Sequence, residues 1–481
     1  MSETVKQIPI KQVDGDKQYV NLYAKREHIQ VRAYKGFYRS LRVLAAWPLL
    51  LAYFLTPFIT WGDRQAIWFD LPQRQFHIFG LTFWPQDFAL LSGVLILAAF
   101  LLFFITVFAG RVWCGYSCPQ TVFTYVFMRA ERLAEGNRNA RIKLDAQPMS
   151  FTKLRKKALK HVLWLAISAA TALAFVGYFT PIRELVSLIV SFDLGMWETW
   201  WLGFFLVATY VNAGWMREQV CIYMCPYARF QGVMFDSNTL IVTYDQARGE
   251  PRGKGARKAQ VGVPTTAEKT AEPLGDCVDC GVCVTVCPVG IDIRDGLQYE
   301  CISCAACVDA CNDVMLRLDK PKGLIRYATE NVINGATHRL ISSRFIGYAV
   351  AVMVIAGLLV AQLVNREPLE VSLTRDRQAL YNDMGGGVIE NTYYLKISNK
   401  GQEPVAASIS ISGVRNYSYL SLNKMSLAPN ETNEAVVRIQ MHVDNLDTPN
   451  TAVIFSVKSS AYDDFEMTQE SRFIAPADQL F

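Results

Sequence analysis

Cys277-Val-Asp-Cys280-Gly-Val-Cys283-Val-Thr-Val-Cys287-Pro288, followed by Cys301-Ile-Ser-Cys304-Ala-Ala-Cys307-Val-Asp-Ala-Cys311-Asn312, decides how the whole chain is read. Each half is a C-x2-C-x2-C-x3-C run, and the second repeats the first at an offset of 24 residues (301 against 277). A cuboidal iron–sulfur cluster needs four thiolates converging from different directions, and the tight C-x2-C-x2-C loop supplies three of them. The fourth Cys of each run reaches the cluster held by the other run. Cys277, Cys280, Cys283 and Cys311 are therefore expected to hold one 4Fe–4S cluster, and Cys301, Cys304, Cys307 and Cys287 the other. Zinc is also content with paired C-x2-C ligands, but it explains neither the third Cys of each run nor the duplication.

Working outward, the chain of 481 residues is long enough for about three domains at ~150 residues each. Its hydrophobic fraction of 51% is concentrated in nearly charge-free runs: 41–60, 88–110, 161–179, 197–213 and 345–364. Each is close to the ~20 residues that cross a bilayer, although the fourth is short and interrupted by Glu198. About forty polar residues precede the first run and no small-residue cleavage site follows it, which argues against a signal peptide. Five membrane helices are expected.

Lys and Arg alternate across these spans. The first 42 residues carry nine, the 61–87 loop only Arg64 and Arg74, the 111–160 segment eleven, and the loop after the third span only Arg183. By the positive-inside rule the N-terminus, 111–160 and 214–344 face the cytoplasm, and the C-terminal region faces outward. The net charge of +5 is then mostly topological, and no nucleic-acid partner is implied. All twelve Cys fall on the reducing side, so ligation and not a disulfide framework is their expected use.

Two further motifs lie at the inner ends of the second and fourth spans: Cys114-Gly-Tyr-Ser-Cys118-Pro119 and Cys221-Ile-Tyr-Met-Cys225-Pro226. Both are C-x3-C-P with Tyr two residues after the first Cys. If helical, the i, i+4 spacing puts each pair of sulfurs on one face, and the proline marks a break. One such pair could be inert, since free Cys packs as a small hydrophobe. Two matched pairs at one membrane depth point to a single four-thiol site, and soft thiolates select Cu(I) or an iron–sulfur cluster. Cys114, Cys118, Cys221 and Cys225 are thus candidate ligands for one or the other. Met224 could add a thioether, though a Met there is more often packing, and His161 is expected to be a plain interfacial residue.

Residues 1–40 form a polar cytoplasmic arm, with Tyr34, Phe37 and Tyr38 near the membrane interface. Residues 41–245 carry helices one to four with the two C-x3-C-P elements. The aromatic 61–87 loop reads as an interfacial belt, with part of a quinone site as the weaker alternative. Residues 246–275, rich in Gly, Pro and charge, form a linker. Residues 276–340 form a dicluster ferredoxin-like module, and 345–364 the fifth span. From 366 to 481, short alternating β-branched segments at 391–397, 406–412, 435–443 and 451–457 indicate an all-β, immunoglobulin-like sandwich. It carries ten Lys/Arg against fifteen Asp/Glu and no His/Cys/Met cluster, so docking is expected of it and not catalysis.

The combination resembles the cytochrome c oxidase accessory proteins called CcoG, FixG or RdxA. The resemblance covers nearly the whole chain and rests on Arg111-Val-Trp-Cys114-Gly-Tyr-Ser-Cys118-Pro, Cys221-Ile-Tyr-Met-Cys225-Pro-Tyr-Ala-Arg-Phe-Gln231, the dicluster module, the following span and the β-domain. One departure is Asn312, where the first run has Pro288. The resemblance implies a multi-pass protein of the bacterial inner membrane. It would act as a cupric reductase, with Cys114, Cys118, Cys221 and Cys225 as copper ligands and reaction site, supplying Cu(I) for assembly of a cbb-type haem–copper oxidase. Its partners would be oxidase subunits or copper-delivery factors, with a cytoplasmic or quinol electron donor. Two competing expectations are a quinol dehydrogenase polyferredoxin feeding a periplasmic oxidoreductase, and a redox-sensing assembly scaffold without enzymatic activity.

Overall fold

The computed structural model describes residues 29–253, 274–333, 335, 342–401, 403–414, 416–420, 424–446, 448–459 and 466–476. The first 28 residues of the expected arm and most of the expected linker, 254–273, lie outside the described residues.

The membrane region begins with α1 (Phe37–Leu55). A loop folded into small antiparallel sheets leads to α2 (Phe88–Ala109). Next come α3 (Val112–Tyr116), α4 (Pro119–Glu135), α5 (Arg138–Ala146) and α6 (Phe151–Val176), the last capped by Ser150, whose side chain accepts from the Lys153 N–H. The region continues with α7 (Ile182–Ser191), α8 (Met196–Thr209) and α9 (Pro226–Met234). Among the described residues four helical segments are long and apolar enough to cross a membrane: Phe37–Phe58, Phe88–Ala109, Phe151–Val176 and Ser343–Val364.

The fourth expected span differs from the simple reading. As an α-helix α8 has only 14 residues, and the chain continues without a break as a π-helix over Tyr210–Met216. The wider turn brings Gly214 against Trp164 of α6, where an added Cβ would lie 3.0 Å from the indole ring. A larger residue would force the two helices apart. Beneath this point Glu131 of α4 binds Arg141 at 2.9 Å and Arg217 at 3.0 Å, with all three side chains almost fully buried. Removing one partner would strand a buried charge, so the network holds the adjoining ends of these helices in one arrangement.

The 61–87 loop is more than an aromatic belt. Ile67–Asp70, Gln75–Ile78 and Leu81–Phe83 pair into a three-stranded sheet that buries His77 and Thr82. The cluster module also starts earlier than the expected boundary at 276. Strand Ile241–Tyr244 pairs antiparallel with Ile325–Ala328, because Val242 and Tyr244 bury their side chains in the module core. Residues 246–253 are likewise part of the module. Arg248 pairs with Asp276 at 2.6 Å, and Gly253 N–H donates to the Cys277 carbonyl at 3.1 Å. The arm also departs from expectation. Tyr38 packs in the module core, 5.3 Å between ring centroids from Tyr327, and Tyr34 packs against the second cysteine cluster; neither is an interface residue in the sense expected.

The C-terminal domain is the expected sandwich. One sheet orders Ser418–Leu420, Thr432–His442, Val388–Asn399 and Leu369–Arg375, with Asn382–Asp383 at the edge of the third. The other orders Lys424–Leu427, Val405–Ser412, Asn450–Ser459 and Glu466–Ile474. Alternating side chains from both sheets, including Tyr393, Phe455 and Phe473, fill the space between them. The domain is tied to the foot of α2: Arg366 and Lys400 hold Asp87 at 2.6 Å and 3.1 Å.

Candidate functional site

The 24-residue repeat is visible in the backbone. In the first loop Asp279 and Gly281 have φ of 49° and 63°; the equivalent Ser303 and Ala305 have 50° and 54°. Left-handed residues at matching positions curl each loop so that three cysteines face one point. Ala305 accepts a conformation that glycine fills freely in the first loop.

Each loop then enters a helix: a single turn at Val282–Thr285 in the first, and Ala306–Arg317 in the second. Cys287 lies past the first and Cys311 within the second. Cys277, Cys280, Cys283 and Cys311 ring one small cavity, and Cys287, Cys301, Cys304 and Cys307 ring another, bordered also by Cys283. This is the crossed pairing expected from the motif. Burial and then Cys283, Cys280 and Cys277 push the Cys311 thiol up to about 12. Burial and Cys304 do the same to Cys287. All twelve cysteines are unbridged. Four soft donors around each cavity fit a 4Fe–4S cluster, whose positive iron would relieve this crowding of thiols. Asn312 does what a proline could not: its Oδ1 accepts from the Gly323 N–H at 2.9 Å, pinning the helix to the following loop.

The two C-x3-C-P elements fold alike, though not as single helical faces. α3 ends before Cys118, and a π-turn over Val220–Met224 ends before Cys225. The Cys118 N–H donates to the Trp113 carbonyl at 2.9 Å, and the Cys225 N–H donates to the Val220 carbonyl at 2.8 Å, so both close back over five residues. Each proline then starts a new helix at its first position, where a missing N–H costs nothing. The sulfurs of a pair are therefore set by this turn and not by i, i+4 stacking.

The four thiols form one loose group. Cys114 is pushed up to about 12 by burial and then by Cys118, with smaller contributions from Cys221 and Cys225; Arg111 opposes the shift. Cys221 is pushed up to about 11 by burial, then by Cys118 and Cys225. Among the described residues no three His, Cys, Asp or Glu side chains are gathered tightly enough to close on a single ion. The same is true of the eight cluster cysteines, whose ligand positions are spaced for a larger group.

Two residues that the sequence marks only as members of the motifs lie against the candidate site. Arg111 is buried, donates to the carbonyls of Tyr299 and Ala228, and places its charge beside Cys114, Cys221 and Cys301. Gln231 is fully buried and accepts from the Cys114 thiol at 3.4 Å. A charge just past the end of the apolar α2 is the signal that could have marked Arg111; Gln231 sits inside α9 and carries no such signal. Met224 is 58% exposed and points away from any such role. His161, expected as a plain interfacial residue, contacts the Tyr210 hydroxyl at 2.7 Å and packs on Trp164.

The thiol group touches the second cluster loop. Cys114 packs in the same hydrophobic cluster as Cys287 and Cys304. A Cβ on Gly115 would lie 2.7 Å from the Ile302 carbonyl oxygen and 2.9 Å from the Cys304 Cα. Tyr116 reaches Tyr327 at 3.3 Å, and Tyr327 donates to the Ser303 carbonyl.

Comparison with known proteins agrees with this layout. Nitrogen fixation protein FixG of Rhizobium meliloti is 39% identical over 431 residues, covering 82% of this chain and 80% of its own. Protein RdxA and protein RdxB of Cereibacter sphaeroides are 38% and 39% identical, each covering 82% of this chain and 84% of its own. The chain belongs to the FixG family.

Family models divide it further. A 4Fe–4S dicluster domain matches 216–330, a 4Fe–4S binding domain matches 91–134, and the Ig-like fold at the C-terminus of FixG matches 359–476. The crystal structure of a FixG-related protein from Vibrio parahaemolyticus is similar at 27% identity, covering 23% of this chain and 97% of its own with a TM-score of 0.21. The protein is thus a FixG-family iron–sulfur electron-transfer protein with apolar helices fit for a membrane and an Ig-like domain.

Proposed function

We propose that this protein reduces Cu(II) to Cu(I) at the thiolates of Cys114, Cys118, Cys221 and Cys225, in the service of assembling a cbb-type haem–copper oxidase. The observation that carries the reading is the contact between the thiol group and the second cluster loop, with Gly115 flush against Cys304. When bound by their eight cysteines, the two clusters supply one-electron transfer at low potential.

Everything else falls to the chain. The four thiols, spaced too widely here to close on one ion, would draw together and lose protons as they take the metal, and their softness would stabilise Cu(I) once one electron has been added per Cu(II). Arg111, fixed by two carbonyls, offsets the negative charge that builds as the thiols ionise. Gln231 orients the Cys114 thiol. The setting is the bacterial inner membrane, with the module and N-terminus cytoplasmic and the Ig-like domain periplasmic, where it would dock oxidase subunits or copper-delivery factors.

The test is anaerobic: reduce the protein, add Cu(II), and follow cluster absorbance together with Cu(I) captured by a chelator. One Cu(I) per electron withdrawn supports the proposal. Reduced protein left untouched by Cu(II), but formed readily from a quinol, supports a quinol dehydrogenase instead. Indifference to both supports a redox-sensing scaffold.

A second reading has its own support. The 4Fe–4S binding domain match at 91–134 contains Cys114 and Cys118 and none of the eight module cysteines. On that reading the four thiols hold a third cluster, and iron analysis separates the two.

A further inference from the structure

A cavity of about 450 Å³ lies between α1, α4 and the chain around Val31–Tyr34, outside both thiol groups. Arg39 and Arg132 line one adjoining cleft, Arg42 stacks on Tyr125 and Tyr53 packs against Phe123, so the two helices run antiparallel. Each gives the cavity one stripe. From α1 come Arg39, Val43, Trp47 and Leu50, and from α4 Arg132, Arg129, Val126 and Val122, all at helical spacing. Because the helices are antiparallel, the arginines meet at one end and the apolar residues line the other. The apolar side opens outward, with Trp47 at 55% and Val43 at 40% exposure on a helix long and apolar enough to span a bilayer.

Several cations at the rim are already engaged. Arg42 donates to the Tyr34 and Tyr125 hydroxyls, Arg138 donates to the Gln30 carbonyl, and Arg141 serves Val31 and Glu131. Arg39, Arg129 and Arg132 form no ion pair among the described residues. Asp313, which lines an adjoining cleft with Arg39 and Arg132, is held by Arg317 at 2.6 Å. Arg132 is pushed below its ordinary value by burial and then by Arg39, Arg129 and Arg141, the signature of like charges facing one another.

We propose that this cleft binds an anionic phospholipid, with its phosphate between Arg39, Arg129 and Arg132 and its acyl chains along the apolar stripes. A basic pocket beside a membrane helix is a headgroup site, and each Lys or Arg there adds to the attraction. A neutral quinone would leave the three guanidiniums facing one another, and a free phosphate would leave the apolar half wet.

The test uses full-length protein, stripped of lipid in detergent and then offered phosphatidylglycerol, phosphatidylcholine, a quinone or inorganic phosphate. Retention is read by native mass spectrometry, and cluster absorbance confirms that each sample is folded. Phosphatidylglycerol is expected to be retained and phosphatidylcholine not. Arg129→Gln with Arg132→Gln should weaken retention roughly ten- to thirty-fold. Ala46→Trp, which fills the apolar end without touching charge, should also expel the lipid. Equal retention of phosphatidylcholine, unchanged retention in either variant, phosphate held as tightly as the lipid, or displacement of the lipid by the quinone would each overturn the proposal.

Discussion

Gly115 and Cys304 meet with no room for a side chain between them: a Cβ on the glycine would lie 2.9 Å from the Cys304 Cα. The approach joins the membrane-end thiols to the loop of the second cluster cavity. Gly115→Ala would have to push backbone against backbone, since the Ile302 carbonyl and the Cys304 backbone are the nearest atoms. We expect the variant to keep the first cluster, to slow electron delivery at least tenfold (about 1.4 kcal/mol in barrier), and to lose part of the second cluster signal. Stopped-flow oxidation by Cu(II) with parallel EPR reads both.

The crossed ligation makes a separable prediction. Cys311 belongs by sequence to the second run but lines the cavity of the first. Cys311→Ser should damage the cluster held by Cys277, Cys280 and Cys283, and Cys287→Ser the one held by Cys301, Cys304 and Cys307. Iron and acid-labile sulfide per chain, with EPR to tell the clusters apart, checks which signal falls. Wild-type protein should hold about eight of each in the module by the two-cluster ligation rule.

These positions were legible in the sequence because cysteine spacing is a local signal. Three thiols in a C-x2-C-x2-C loop leave little choice of geometry, and the 24-residue repeat fixed the partner of each fourth Cys. The sandwich was legible through its long central strands, Val388–Asn399 and Thr432–His442; the short Ser418–Leu420 and Lys424–Leu427 carry too few alternations to be seen. What escaped were features set by distant contacts. Ile241–Tyr244 becomes a strand only by pairing with residues more than eighty positions later. Residues 246–253 look like linker by composition, yet Arg248 anchors them to Asp276. Spacing alone gave Arg111 and Gln231 no role because neither is a thiol, and their place beside Cys114 comes from where α2 ends and how α9 packs near it.

Arg111 supplies the next test. It is the buried cation beside Cys114, Cys221 and Cys301. Arg111→Gln keeps hydrogen-bonding capacity toward Tyr299 and Ala228 but removes the charge. The ionised thiols and the reduced state of the nearby cluster should both become harder to form. The expected outcome is a lower reduction potential for the second cluster and weaker metal uptake, with the first cluster unchanged. Arg111→Lys should restore much of the potential, which a purely structural role would not require. Potentiometric titration of the three proteins gives the answer.

The Ig-like domain is held to the foot of α2 through Asp87, which receives Arg366, Lys400 and the Trp84 N–H. Burial works against the charged carboxylate, but these partners together hold it below the ordinary carboxylate range. Asp87→Asn leaves two cations facing a neutral group at a largely buried position and should weaken the docking by on the order of 3 kcal/mol. Limited proteolysis should then cut the 365–368 connection much faster than in the parent. The pH dependence has a definite sign. A depressed pKa means the contribution is present above the unfolded value near 3.8 and is lost as pH falls through the lower folded value. The parent should therefore approach the variant's susceptibility only in that acid range.

The copper reading stands or falls on metal analysis of the Cys221→Ser, Cys225→Ser protein, purified anaerobically beside its parent. The variant should lose bound copper and Cu(II) reduction while its iron and sulfide remain at the parent's level. Loss of about four iron per chain would contradict it and assign the four membrane-end cysteines to a third cluster; full cupric reduction by the variant would contradict it outright.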